Sequence, residues 1–374
     1  MKKITKKRRL RDVRLAYIHR IGKPAHRRKK TQKNLASWLL VNKWINDHME
    51  KGLMVVLDNT KLTLHLPSLM NFSSAYEVTA MYMAAIRKLA EKKWLPRNAY
   101  RLVSVNFDAL KKISTSAALV LTAELSKWDD AIRQRLKPQI HQWDQNIVKQ
   151  FYDLGFFDLF QHSPFKGVSS DDEYSGLKFV KYIKGKCGDA SKTRILKAGI
   201  REVIGESVEK WTFLHSGLDE AITNVSHHAY PNECPDGDKN WYLTGSYNQE
   251  TERLKIVFYD QGVGIPNSLP ASGVWEKVLT RLAKYGIAEQ KKDEILLKAA
   301  VEIDRTSTSE NDRGRGLQDL LEFVKQRNDG HLSIISSRGL YKYTVDKGSP
   351  SVKSVHFDQK MNGTLIIWSV ALRH

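Results

Sequence analysis

Glu220-Ala-Ile-Thr-Asn224-Val-Ser-His-His228-Ala-Tyr230-Pro231 sets a carboxylate and a carboxamide four residues apart in a segment with helical character. Positions i and i+4 share one helical face, so Glu220, Asn224 and, one turn on, His228 project together. Leu214, Leu218, Ile222, Val225 and Ala229 recur at helical spacing on another face and are expected to pack on a core, with Pro231 ending the helix. The polar face carries the donor types that suit magnesium. An asparagine oxygen is a hard ligand for a cation that keeps several waters, and a neighbouring glutamate can act as a general base. A solvated polar face on an ordinary amphipathic helix accounts for the string about as well, so the string alone decides nothing.

Two later segments change that balance. Leu254-Lys-Ile-Val-Phe-Tyr-Asp260 alternates as a strand does, and Trp241-Tyr-Leu243 with Tyr247 supplies its partner across a polar turn. Asp260 closes the strand and opens Gln261-Gly262-Val-Gly264-Ile-Pro266. Glycines there let the backbone approach a ligand, and the carboxylate can accept a hydrogen bond from an adenine amine. Further on, Asp312-Arg313-Gly314-Arg315-Gly316-Leu317 runs into Asp319–Lys325, which is helical by period. Glycines at a helix start offer free amides and a positive dipole end to phosphates, and Arg313 and Arg315 add charge at the same place. Taken singly, each box has a plain competitor: a tight turn, or a loop before a surface helix.

In this order the three boxes resemble the gyrase, Hsp90, histidine-kinase and MutL superfamily of ATPases (GHKL), whose nucleotide pocket is the Bergerat fold. The resemblance runs from Leu177 to the C-terminus, about half of the chain. It implies ATP and magnesium as cofactors, Glu220 as general base, Asn224 as the magnesium ligand and Asp260 as the adenine reader. His228, Arg313, Arg315 and Leu317 would line the nucleotide site, and Gly262, Gly264, Gly314 and Gly316 would form the backbone cradle. Asn362-Gly363-Thr364, leading into the strand Leu365–Trp368, matches the final glycine–threonine box, in which the Thr364 hydroxyl supports the adenine aspartate. The segment 265–313 would be the ATP lid, with amphipathic stretches at 274–285 and 289–303; hydroxyl-rich loops beside phosphate sites commonly gate the chemistry.

Within the superfamily, EAITN…HHAYP is most similar to the anti-sigma-factor serine kinases and their relatives. A strand at Phe179–Ile183 and a helix from Thr193 to Trp211 would be their opening elements. No histidine is followed by the acidic residue and threonine–proline of a sensor-kinase phosphoacceptor helix, and His215 reads as structural.

Length and composition fit globular domains: 374 residues can bury two cores, with 41% hydrophobic and 9% aromatic residues. No stretch approaches the roughly 18 apolar residues of a membrane span, and the lysine-rich start lacks the apolar region of a signal peptide. Two cysteines, Cys187 and Cys234, make no disulfide framework or zinc spacing. The expected location is the cytoplasm, with no membrane partner.

Charge is concentrated at one end. Of the formal net charge of +20, residues 1–33 hold +14: fifteen lysines and arginines against the single Asp12. Lys6, Lys7, Arg8 and Arg9, then Arg27, Arg28, Lys29 and Lys30, form tight clusters interleaved with Tyr17, His19, Arg20 and His26. A basic arm over residues 1–34 suits a phosphate backbone or another acidic surface, against the alternative of a solvated tail.

Between arm and ATPase, residues 35–161 read as an α/β layer. A helix over Leu35–Ile45 precedes a hairpin of Leu53–Leu57 and Leu62–Leu66 with Asp58-Asn59 at the bend. A helix at Ala75–Leu89, a strand at Leu102–Phe107 and a helix capped by Ser114 follow. Val105–Leu125 resembles the STAS domain of anti-sigma-factor antagonists. Ser116 stands at that family's phosphoserine position, but its aspartate and glycine are replaced here, which favours Ser116 as a small polar residue in a helix's first turn. Lys137–Phe160 reads as helical, ending in the aromatic run Phe151–Phe160, and residues 162–176 read as a linker.

The fold expected is therefore α/β (α+β): a Bergerat-fold ATP-binding sandwich over 177–374, preceded by a STAS-like α/β domain and a basic arm. Two functions compete. One is an ATPase or serine-kinase-like regulator whose nucleotide state controls partner binding. The other is a non-catalytic, nucleotide-gated module that binds nucleic acid through its arm, in signalling or in defence against mobile DNA. Expected partners are ATP, a protein, nucleic acid through residues 1–33 and, as an option, a second copy of the chain.

Overall fold

Leu254, Ile256 and Phe258 alternate with Lys255, Val257 and Tyr259, and the chain uses that alternation to build a sheet with two different faces. The structure is a computed structural model that describes residues 40–59, 61–90, 101–128, 133, 139–160, 176–230, 239–272, 275–286, 288–303 and 316–372. Its first half contains α1 (40–49), β1 (Val55–Asp58), β2 (Lys61–His65), β3 (Leu69–Met70), α2 (Tyr76–Ala90), β4 (Arg101–Asn106), β5 (Lys112–Ile113), α3 (Thr115–Ser126) and α4 (Gln145–Leu154). Then come β6 (Leu177–Phe179), β7 (Ile183–Lys186), α5 (Thr193–Ile204), α6 (Trp211–Asn224), β8 (Asn240–Asn248) and β9 (Arg253–Asp260). The last elements are α7 (Trp275–Leu282), α8 (Asp293–Val301), α9 (Asp319–Arg327), β10 (Gly330–Asp346) and β11 (Ser349–Ala371). The fold is mixed α/β.

The chain divides into two compact units, Met1–His65 with Lys88–Val105, and Leu66–Arg87 with Asn106–His374. In the first, β1 and β2 form an antiparallel hairpin with β4 beside β2. Asp58 pairs with Lys61, and Asn59 takes the left-handed conformation that so tight a turn needs. Leu62 and Leu64 are buried on one face of β2.

The second unit is organised by a six-stranded sheet in the order β10-β11-β9-β8-β6, with β7 also paired to β8. Leu254, Ile256, Phe258, Ile366, Trp368, Leu332 and Ile334 meet α5, α6 and α9 through Leu196, Ile200, Leu214, Leu218, Leu320 and Val324. Trp368 Nε1 donates to Leu320 O at 2.8 Å, pinning α9 to β11. The opposite face receives α3. Thr115 and Ser246 hydroxyls lie 2.8 Å apart, and Ser126 and Tyr242 hydroxyls 2.7 Å apart. Every residue of α3 from Thr115 to Leu125 is buried, and its polar side chains are hydrogen-bonded: Thr115 to Ser246, Ser116 to Ser114, Thr122 to Ala118 O and Glu124 to Arg87.

Ser114 caps α3 as its position suggests, accepting from the Ala117 amide at 3.2 Å. Ser116 is buried, its hydroxyl 3.1 Å from that of Ser114.

Three expectations need correction. Phe179–Ile183 is not one strand but the end of β6 and the start of β7. The Tyr182 amide is diverted to Leu154 O at 2.9 Å, which breaks the run. The helix from Thr193 ends at Ile204, because Gly205 adopts a left-handed cap (φ +91°) whose amide bonds Arg201 O; Trp211 begins the next helix. The helix bearing Glu220 is regular only to Asn224, and Val225–Ala229 widens into a π turn. Pro231 lies outside the described residues.

Candidate functional site

Glu220 and Asn224 leave the last turn of α6 on one side, and Asn224 Nδ2 donates to Glu220 Oε1 at 3.0 Å. The asparagine thus commits its nitrogen to the carboxylate and orients it. The π turn that follows carries His228 to the same side. Burial, with His227 beside it, holds His228 below the ordinary imidazole range. Insertions of this kind recur at functional sites because they re-aim side chains without ending the helix.

Asp260 enters from the end of β9, paired with Thr364 on β11 and Trp241 on β8. It is 5% exposed. Burial pushes its carboxyl up to about 6, against the pull of hydrogen bonds from the Gly262 amide (2.8 Å) and from Thr364. The turn after it is built on close backbone approach. A side chain on Gly262 would collide with the carbonyl of Ala229, and one on Gly363 with the carbonyl of Asp260. The Val263 amide donates to that same Ala229 carbonyl at 2.8 Å, so the π turn and the Asp260 turn hold each other directly.

Behind them stands Ser336, fully buried on β10. Its hydroxyl accepts from the Ile265 amide at 2.8 Å and lies 3.2 Å from both Gly363 O and the Thr364 hydroxyl. The β10–β11 register shifts at Ser336–Gly339, a bulge beside the site of the kind that re-aims side chains. Ser216 Oγ donates to Asp319 Oδ2 at 2.8 Å, fixing the start of α9 against α6.

These segments enclose a cavity of about 200 Å³. Glu220, Asn224, His228, Asp260, Gly264, Leu317 and Thr364 line it, all of them chosen from sequence. Gly262 sits behind Asp260, with its amide on that carboxylate, and Gly316 precedes Leu317 in a short 3₁₀ turn. Arg313, Gly314 and Arg315 lie outside the described residues, as do Lys6–Arg9 and Arg27–Lys30 of the arm and the lid stretch 304–313. The rest of the lining was not foreseen. Ala221, Ala229 and Ile366 come from the helix and sheet; Ile265, Ser268, Leu269 and Ser272 come from the turns after Gly264; Ala300 and Ile303 come from the end of α8. They make the lining largely apolar around a few polar side chains, the usual make-up of a small-molecule site.

Among the described residues no group of three or more His, Cys, Asp or Glu side chains converges as a metal site. None of the described helices is long and apolar enough to cross a membrane.

No protein-family model matches the chain, and no curated protein matches it. Among solved structures, the ATP-binding domain of topoisomerase IV from Francisella tularensis, in complex with a small-molecule inhibitor, aligns with 50% of this chain at 11% identity and a TM-score of 0.20. The aligned part spans 41% of that protein's chain. A likeness this slight assigns neither ligand nor activity.

Proposed function

We propose that residues 177–374 form an ATP–magnesium site of the GHKL type, and that the state of this site controls what the protein binds. One observation carries the reading: seven residues picked from four separate sequence boxes line a single cavity, with a buried carboxylate in its wall. Asp260 accepts from the exocyclic amine of adenine, supported by Thr364. The apolar wall of Ile265, Leu269, Ile303 and Ile366 takes the faces of the base, and the amides around Gly316 and Leu317 take the phosphates. Glu220 withdraws a proton from the attacking water or hydroxyl.

The donor set fits magnesium. Asn224 offers one hard oxygen beside the Glu220 carboxylate, and magnesium commonly keeps several waters beside few protein ligands. When bound, magnesium supplies charge neutralisation on phosphate oxygens. Two uses of the site remain distinct: hydrolysis of ATP or transfer of its terminal phosphoryl to serine on a partner, and nucleotide-gated binding without turnover. Labelled phosphate released to solvent, passed to a protein, or retained as ATP separates them.

The domain scheme of a STAS-like segment at 35–161, a linker at 162–176 and a basic, nucleic-acid-binding arm belongs to the same proposal. So do the protein partner and the cytoplasmic location.

The pocket assignment is tested by Asp260→Asn. Losing a charge-assisted hydrogen bond worth about 1.5–3 kcal/mol should weaken ATP about ten- to hundredfold by calorimetry. Without ligand, the variant should differ from the parent in how its stability depends on pH. A carboxyl at about 6 in the folded chain and 3.8 in its ordinary state takes up its proton more readily when folded. The contribution of Asp260 to parent stability therefore falls as pH rises from 3.8 to 6, by about 3 kcal/mol. The asparagine variant lacks that fall, so in denaturant melts the stability of variant relative to parent should shift in the variant's favour across this window, with the shift complete above pH 6. Unchanged ATP affinity in a folded variant would remove Asp260 from the adenine site.

A further inference from the structure

Tyr259 and Gln261 flank Asp260 in sequence, and both reach one carboxylate on the other side of the sheet. Glu124, in the last turn of α3, is 3% exposed. Its Oε1 accepts from Tyr259 Oη at 2.9 Å and from Gln261 Nε2 at 3.1 Å, while Arg87 of α2 closes a bidentate pair, Nε on Oε2 at 2.9 Å and a terminal nitrogen on Oε1. Tyr259 Oη also lies 2.9 Å from the carbonyl of Asn362, the residue before Gly363 and Thr364. The Tyr259 hydroxyl is thereby held well above its usual range, first by burial and then by the Glu124 charge, and stays a proton donor at any working pH.

We propose that Glu124 is a positioning residue for the ligand site. From behind the sheet it holds, through Tyr259 and Gln261, the backbone on either side of Asp260 and so the direction in which that carboxylate enters the cavity. The proposal rests on the nucleotide reading of that cavity for its function, and on the hydrogen-bond geometry alone for its mechanics.

A carboxylate is required by the count of donors. Four donor contacts converge on its two oxygens, so both oxygens must accept. Glutamine has the same shape, yet it presents an NH₂ group to one of those donors whichever way it turns. A buried ion pair adds little to stability alone, because well-packed apolar groups of similar volume often do as well. Its geometry here, tied to the two residues that bracket Asp260, gives it a use in placing them. It also makes α2 and α3 part of the site's support, although neither lines the cavity.

The test is amide hydrogen exchange on the full chain without nucleotide, in the parent, Glu124→Gln and Tyr259→Phe. The Gly262, Val263 and Ile265 amides report the turn, since their partners are Asp260, Ala229 and Ser336. The amides of Leu243 and Val257, in the middle of β8 and β9, report the sheet. At least tenfold faster exchange at the turn, with the sheet unchanged, is expected in both variants; ATP affinity by calorimetry should fall at least tenfold alongside. Should Glu124→Gln fail to fold, Tyr259→Phe decides, because it keeps the ring and the Glu124–Arg87 pair and removes the hydroxyl with its contacts to Glu124 and Arg87. Unchanged protection at the turn, or protection lost evenly across the sheet, overturns the positioning role. A parent that binds no ATP removes the nucleotide reading, and the exchange pattern still decides the role of Glu124.

Discussion

Glu220→Ala is expected to bind ATP and magnesium as the parent does and to lose turnover by about 10²–10⁴-fold, the usual contribution of a positioned general base. The expectation comes from geometry. Glu220 lines the cavity from the last turn of α6, and Asn224 Nδ2 holds its Oε1 at 3.0 Å, which fixes the carboxylate's direction before any ligand arrives. The proposed site places binding on other groups, chiefly Asp260 and the apolar lining, so removing the base should leave affinity in place. Asn224→Ala should behave differently. It removes the proposed magnesium ligand and also the amide that orients Glu220, so magnesium-dependent affinity and turnover should fall together. Single-turnover assays with labelled ATP, beside calorimetry with and without magnesium, read the two effects separately. A Glu220→Ala protein that turns over at the parental rate removes Glu220 as the base. A parent with no turnover, even beside its partners, leaves the gated-module function standing.

The difference between these variants rests on residues that become candidates in the amino-acid sequence once the boxes are taken together, and the reason is local chemistry. An aspartate ending a strand before Gly262 and Gly264, or an asparagine four residues after a glutamate, marks a candidate through backbone freedom and side-chain reach within a few positions. What could not be read had no such local mark. Ile265, Leu269, Ala300 and Ile303 are ordinary apolar residues that become a wall only when the segments after Gly264 and α8 pack across the cavity. Ser336 looks like one serine among several, and its placement depends on a bulge in a long hairpin. Glu124 and Tyr259 are 135 residues apart, and nothing in either neighbourhood names the other. Periodicity also carried the helix through Val225–Ala229 without a break, because apolar spacing looks the same whether the backbone makes α or π hydrogen bonds. Long-range pairing, not composition, determined each of these.

The same division between local and distant signals applies to the basic arm, whose charge is legible at a glance and whose target must be measured. Deleting residues 1–33 is expected to remove most of the protein's affinity for nucleic acid, because that segment holds +14 of the net +20. The physical source is counterion release. Each phosphate neutralised by lysine or arginine frees condensed cations, so affinity depends on salt rather than on base sequence. If half of the fifteen basic residues meet phosphates on duplex DNA, log affinity should fall against log salt with a slope of about −6 to −7. Readout of base edges would instead show preference among sequences and a weaker salt dependence. Fluorescence anisotropy with duplex and single-stranded probes, at several salt concentrations and on the full-length and truncated chains, measures both quantities. A truncated chain that binds as tightly as the parent, or a slope near zero, would assign the arm to solvent or to an acidic protein surface. Adding ATP and magnesium to the same titration then asks whether the cavity controls the arm. A gated module requires the slope or the affinity to change with nucleotide in the parent and not in Asp260→Asn, since a ligand can shift binding elsewhere only through a difference in its own affinity for the two states.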